Sequence, residues 1–171
     1  CDLMLPLMSE YLFSDLTVAA KTDDALIFCD INERFTPNNG WYNFDQNRLV
    51  IFWGETYNGI KYANTIISYI DKVEGLDESI KNEYLGRAYF HRAYRYLNLC
   101  FQFGDVPFVS KIIDRPKQDY KSTKREAIIK KLVQDMEFAV QHVPDQKDMT
   151  YIGMINKGAC RQLLIKCYLA N

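Results

Sequence analysis

If this chain does chemistry of its own, it should do it between Ala20 and Asn47, "AKTDDALIFCDINERFTPNNGWYNFDQN". Here rings, amides and charges crowd together without periodicity, and "TPNNGW" is a turn signal. Trp41, Tyr42 and Phe44 can offer an apolar face, with Arg34, Asn38 and Asn39 as donors and acceptors beside it. A pyranose presents an apolar C–H face and a rim of hydroxyls, so an aromatic plane edged by amide and guanidinium groups complements it. The Trp41 ring could equally pack the loop against helices, and residue types alone leave both readings open. Asp23, Asp24, Asp30 and Glu33 raise a second chemistry, glycoside hydrolysis. That reaction needs two carboxylates facing each other across about 5–9 Å, in environments that separate their pKa values. Neighbours within one loop rarely meet this condition, so these four read as solvated turn residues. "DINERF" begins like a calcium loop at Asp30 but lacks the glycine and the later carboxylates.

Other chemistries find little support. The chain has two histidines, His91 and His142, and no HExxH or Cys/His metal spacing, so neither a metal nor a cofactor is expected. No nucleophile elbow or phosphate-binding glycine loop occurs. His91, beside Arg92 and Arg95, reads as a hydrogen-bonded structural residue. The five cysteines stand at 1, 29, 100, 160 and 167. Cys160 and Cys167, two helical turns or about 10 Å apart, cannot pair with each other and read as small apolar core residues. A net charge of −1 argues against a dedicated nucleic-acid binder, because acidic neighbours balance basic pieces such as Lys121 to Lys131. No apolar run approaches the roughly 18–20 residues of a membrane span.

The elements around this loop read as helices. Residues 3–13, "LMLPLMSEYLF", suit a short one. Leu49, Trp53, Tyr57, Ile60, Ala63, Ile67 and Ile70 advance by three or four, one apolar stripe that ends at Gly75. Within that stripe Trp53 reads as core. Asp77 can cap the next helix, which runs to Phe103 with apolar residues on most of its circumference. Gly86, Phe90, Ala93, Leu97 and Cys100 form one of its stripes, and Leu85, Tyr89, Tyr96 and Leu99 another. Such a helix is buried on more than one side, and the small Gly86 and Ala93 let a neighbour approach. Gly104 permits a left-handed stop, and Pro107 prevents resumption. An extended connection over 105–121 leads to a third helix, capped by Ser122 or Thr123, with the stripe Ile129, Leu132, Met136, Ala139 and Val143. A last helix from about Asn156 is expected to bury Ala159, Leu163, Leu164, Cys167 and Tyr168. No strand pattern emerges. The expected fold is all-α, with helix hairpins packed in a tetratricopeptide-like manner and long irregular loops.

Four of these segments resemble one family. Trp53-x3-Tyr57-x2-Ile60-x3-Asn64 resembles the first long helix of the SusD/RagB family, glycan-binding lipoproteins of Bacteroidetes outer membranes. "GRAYFHRAYRYLNLCFQFGDVPFV" resembles its "GEAKFLRAxxYxxLxxxFGDVPLV" segment. Ser122, Ile128, Asp135, Met136 and Ala139 follow its "S…I..DL..A" pattern, and "NKGACRQLLIKCYLAN" resembles its "tkgAAxxLLaxvYL" helix. "SEYLFSD" is similar to the segment before the family's variable loop. Arg87 replaces the family glutamate, and His91 a leucine. The resemblance implies a single domain over 1–171: a short helix and variable loop over 1–48, then helix hairpins over 49–171. The carboxy-terminal part of the family is absent from this chain. It further implies non-catalytic binding of oligo- or polysaccharide at the cell surface and delivery to a SusC-like TonB-dependent transporter. Cys1 would be the lipid-carrying residue that anchors the protein to the outer membrane. A tetratricopeptide-like protein-interaction module and, behind it, a helical glycosidase are the competing readings.

Overall fold

A computed structural model describes the backbone over residues 42–112, 119–149, 151 and 153–171, with side chains from Trp53 onward within those ranges. The chain separates into two compact units, Cys1–Asn58 and Gly59–Asn171. Four helices dominate the described residues: α1 (Tyr42–Tyr69), α2 (Glu78–Phe103), α3 (Arg125–His142) and α4 (Lys157–Ala170). The all-α expectation holds. The suggested helix over 3–13 lies outside the described residues.

Helix α1 begins at Tyr42, about two turns before the expected start near Leu49. No glycine or proline interrupts Tyr42 to Trp53, so nothing in the backbone resists the earlier start although the residues are too polar to show a stripe. Its α-helical bonding ends at Tyr69 and tightens into a 3-10 turn, Ile70–Lys72. Gly75, at φ +74°, then turns the chain toward α2. Within the second unit, Ile60, Ala63 and Ile70 of the α1 stripe are buried. Trp53, expected in the core, is half-buried, its ring 5.0 Å from that of Tyr57.

Helix α2 is the centre of the second unit. Gly86, Phe90, Ala93, Leu97 and Cys100 are all buried, and so are Tyr96 and Leu99 of its other stripe. Asp77 is the N-cap residue, but its side chain makes no capping hydrogen bond. The helix stops at Gly104, φ +75°, whose N–H reaches back to the Cys100 carbonyl at 3.1 Å. On its first face α2 lies antiparallel to α1, since Asn64 meets Arg92 while the earlier Gly59 meets the later Arg95. On a second face it packs against α3. A Cβ at Gly86 would lie 2.9 Å from Val143 Cγ2 and 3.3 Å from Ala139 Cα, so glycine is what admits α3 there. All five residues of the α3 stripe are buried.

The connection from α2 to α3 departs from expectation in two ways. Val106–Pro107 (β1) and Ser122–Thr123 (β2) form a two-residue antiparallel ribbon, pairing Val106 with Thr123 and Pro107 with Ser122. Ser122 and Thr123 therefore do not cap α3, whose N-cap residue is Lys124. Asp105 substitutes for the missing cap: its Oδ1 accepts the Arg125 N–H at 3.0 Å, and its Oδ2 pairs with Lys124 at 2.8 Å. A carboxylate at a helix N-terminus is favoured by the unsatisfied amides and by the helix dipole. Helix α4 behaves locally, with Asn156 Oδ1 accepting the Ala159 N–H at 2.9 Å. It buries Cys160, Leu163 and Cys167, whereas Ala159 and Leu164 are half-buried. Tyr168, also expected inside, is 51% exposed and donates to Glu137 of α3 at 2.6 Å. An amphipathic tyrosine at the edge of a helix pair keeps its hydroxyl in polar surroundings.

Candidate functional site

Of the residues singled out for sugar contact, Arg34, Asn38, Asn39 and Trp41 lie outside the described residues, as do Cys1 and the four loop carboxylates. Tyr42 and Phe44, expected in an irregular loop, lie instead on helical backbone in the first turn of α1. Among the described residues, the irregular stretch that borders a cleft is the connection that leaves α2, Val106 to Lys111, together with Asp119 to Thr123.

What holds that connection is a buried polar node drawn from three helices. Arg92 of α2 donates from Nε and Nη2 to Oδ2 of Asp135 on α3, at 3.0 and 2.5 Å. Its Nη1 donates to Asn64 Oδ1 of α1 at 3.1 Å and to the Ser110 carbonyl at 3.2 Å. Asn64 Nδ2 in turn donates to the Val109 carbonyl at 2.8 Å. The Tyr96 hydroxyl closes the set, donating to that carbonyl at 3.2 Å and accepting the Val109 N–H at 2.7 Å. Arg92, Asp135 and Asn64 are 2%, 2% and 1% exposed, so none of these groups exchanges its partner for water. A buried ion pair survives only when further hydrogen bonds satisfy its remaining donors and acceptors, and here backbone carbonyls do so. Burial also pushes the Tyr96 phenol well above its usual range, so it stays protonated as donor. The arrangement fixes structure and has no reacting group free to act on a substrate.

The outer side of the fixed segment faces a cleft. It has a volume of about 450 Å³ and is lined by Phe108, Val109, Ser110, Lys111, Asp119, Tyr120 and Lys121. Phe108 is backed by the Tyr96 ring, 4.7 Å between centroids. Tyr120, Lys111, Asp119 and Lys121 are exposed at its rim. Sequence reasoning missed this cleft. Its one local signal was the length of the aperiodic connection between Gly104 and Arg125.

Elsewhere among the described residues, His91, Arg95, Arg87 and three cysteines take part in the packing of the helices. His91 Nδ1 lies 3.2 Å from Arg95 Nη1, as the expectation of a hydrogen-bonded histidine requires. Burial, reinforced by the Arg95 charge, pulls its pKa down to about 4. Burial likewise lowers Arg95 to about 10. Arg87, at the position of the family glutamate, pairs with Glu83 at 2.6 Å. Cys100, Cys160 and Cys167 are free thiols, buried, each pushed up to about 11 by that burial. Among the described residues no group of three His, Cys, Asp or Glu could hold a metal ion. No described helix is long and apolar enough to cross a membrane.

Comparison with known proteins adds what geometry cannot. The family model SusD-like_3, described as "Starch-binding associating with outer membrane", matches residues 8–169. The SusD-like protein P2 of Formosa agariphila is 30% identical over 110 residues, 63% of this chain and 22% of that protein. A SusD superfamily protein from Parabacteroides distasonis superposes with a TM-score of 0.70 at 22% identity, over 94% of this chain and 33% of its own. Surface glycan-binding protein A from Bacteroides uniformis gives 0.62 at 20% identity, over 69% and 26%. At these identities the likeness to the solved structures is one of fold. The chain spans about a fifth to a third of the length of the relatives it matches.

Proposed function

The chain belongs to the SusD-like family, and from that premise we propose that it is part of a non-catalytic surface protein that binds oligo- or polysaccharide and passes it to a TonB-dependent outer-membrane transporter. The family match over residues 8–169, with its description as starch-binding and outer-membrane-associated, carries this reading. The relative named as a surface glycan-binding protein supports it. In this reading bundled helices serve as a stand, and the contacts come from the segment before α1 together with the first turn of α1. Trp41, Tyr42 and Phe44 supply ring faces, and Arg34, Asn38 and Asn39 supply polar edges. Cys1 carries the lipid that the resemblance implies.

Affinity electrophoresis of the full-length protein against a panel of neutral and anionic polysaccharides tests the proposal. Retardation by at least one glycan, weakened in Trp41→Ala and without release of reducing ends, is the expected result. Absence of retardation by every polymer overturns the binding reading, and accumulation of reducing ends overturns the non-catalytic one. Co-purification from membrane extracts with a TonB-dependent transporter checks the delivery step. Recovery of unrelated soluble proteins without a transporter would favour the protein-interaction alternative. Incorporation of a labelled fatty acid, abolished by Cys1→Ser, checks the anchor.

A further inference from the structure

We propose that the cleft between Phe108–Lys111 and Asp119–Lys121 is a glycan subsite of its own, and that it takes a sugar bearing a negative charge. The inference rests on the reading of the chain as a carbohydrate binder and adds a place and a ligand class to it.

Three observations carry it. First, the floor is rigid before any ligand arrives. The Val109 carbonyl accepts from Asn64 and Tyr96, the Val109 N–H is bound by the Tyr96 hydroxyl, and the Ser110 carbonyl accepts from Arg92. A segment ordered by the protein's own buried groups does not have to be ordered at the expense of binding. Second, the size and lining suit a saccharide. A volume of about 450 Å³ falls within the range of small-ligand sites. Two aromatic residues, Phe108 and Tyr120, line it, and the Tyr96 ring behind Phe108 holds that side chain in place. A ring face meets the C–H face of a pyranose, while the Ser110 hydroxyl can exchange hydrogen bonds with those of the sugar.

Third, the charges are unequal. Among the described lining residues, Lys111 and Lys121 stand with one carboxylate, Asp119, within a chain whose overall charge is −1. The local excess of positive charge favours a carboxylate or sulfate ester on the sugar over a neutral ring. A uronate and a sulfate ester share this chemistry, and the experiment must tell them apart.

The test uses the full-length protein in affinity electrophoresis with two matched polymer pairs: polygalacturonate with its methyl ester, and dextran sulfate with dextran. Preferential binding of polygalacturonate assigns a uronate, preferential binding of dextran sulfate a sulfate ester, and both together an anionic sugar of either kind. In each case the double variant Lys111→Gln/Lys121→Gln should bind the anionic polymer about tenfold more weakly at low salt, and the neutral partner unchanged. Tyr120→Ala should weaken the anionic polymer as well, because the site is a sugar platform and more than a charged patch. These side chains lie at the surface, and far-UV circular dichroism and thermal melting verify that each variant stays folded. The proposal is overturned if the lysine variant binds the anionic polymers as the wild type does. It is also overturned if Tyr120→Ala leaves binding untouched, since that result describes bare ion exchange. In both of those cases glycan binding itself survives. If no polymer retards the wild type, the wider reading falls and takes the subsite with it.

Discussion

Replacing Asp135 by leucine should be among the most damaging single changes available in the described part of the chain. The side chains of Arg92 and Asp135 are 3% and 1% exposed, and the substitution removes both hydrogen bonds that Arg92 Nε and Nη2 make to Oδ2. A guanidinium is then left in a dry interior with the neutral oxygens of Asn64 and Ser110 and the face of the Tyr89 ring, 5.1 Å away, in place of its counter-ion. Breaking a buried pair from one side costs about 3–5 kcal/mol. That is a large share of the roughly 5–15 kcal/mol that hold an ordinary domain together. Lys131 also loses its 3.1 Å contact with Asp135 Oδ1, but its side chain is 43% exposed and adds no more than about 0.5 kcal/mol. The double variant Arg92→Met/Asp135→Leu removes both charges, so it should be more stable than Asp135→Leu alone by about 2 kcal/mol or more, despite the lost donor to Ser110. Urea unfolding followed by far-UV circular dichroism measures the two singles, Arg92→Met and Asp135→Leu, and the double variant. Hydrogen exchange at the Val109 amide reports whether the segment has come loose. A loss below about 1 kcal/mol for Asp135→Leu, or a double variant equal to the sum of its singles, would refute the account of the node.

Gly59→Ala should lower stability by about 1–3 kcal/mol, because the new Cβ would overlap Arg95 Nε and displace the side chain of a buried arginine. Differential scanning calorimetry should register this as a drop of several degrees in Tm. His91 should make the protein sensitive to acid. Its folded pKa of about 4 lies below the model-peptide value of 6.5, so the unfolded chain binds the proton more readily between these values. The contribution is present in full above pH 6.5 and is lost as pH falls toward 4, amounting to roughly 2–3 kcal/mol over that window. In His91→Gln the dependence of unfolding free energy on pH should flatten there. Cys100, Cys160 and Cys167 should resist iodoacetamide in the native state at pH 8 and react on unfolding in urea, since burial both shields the thiols and suppresses the thiolate. Mass spectrometry of the alkylated protein counts them directly.

The stop of α2, the buried stripe of α3 and the cap of α4 were legible in the sequence because local forces shape them. The Gly104 stop, the Asn156 cap and the two-sided burial of α2 follow from backbone conformation, short-range hydrogen bonding and a 3.6-residue period, all of which act within a few positions. The family could be recognised for the same reason: its motifs are runs of neighbouring residues. Where periodicity was weak the reading slipped, as at Tyr42, where helical backbone begins without an apolar stripe to announce it. Tyr168 slipped differently, since the period puts it near the buried side but only the position of Glu137 decides that its hydroxyl stays outside.

Tertiary structure decided what the motif residues are for. Arg92 and Asp135 stand 43 positions apart, Arg92 and Asn64 28 apart, and Asp105 caps a helix 20 residues away. No local rule pairs such groups, because their partners are fixed only when the helices dock and water leaves the space between them. Docking then makes the pairing compulsory, since a charge stripped of water must find its counterpart or the fold does not form. The run Gly104 to Ser110 is therefore recognisable as letters in the sequence, and it is the packing of three helices that turns it into the rigid floor of a cleft.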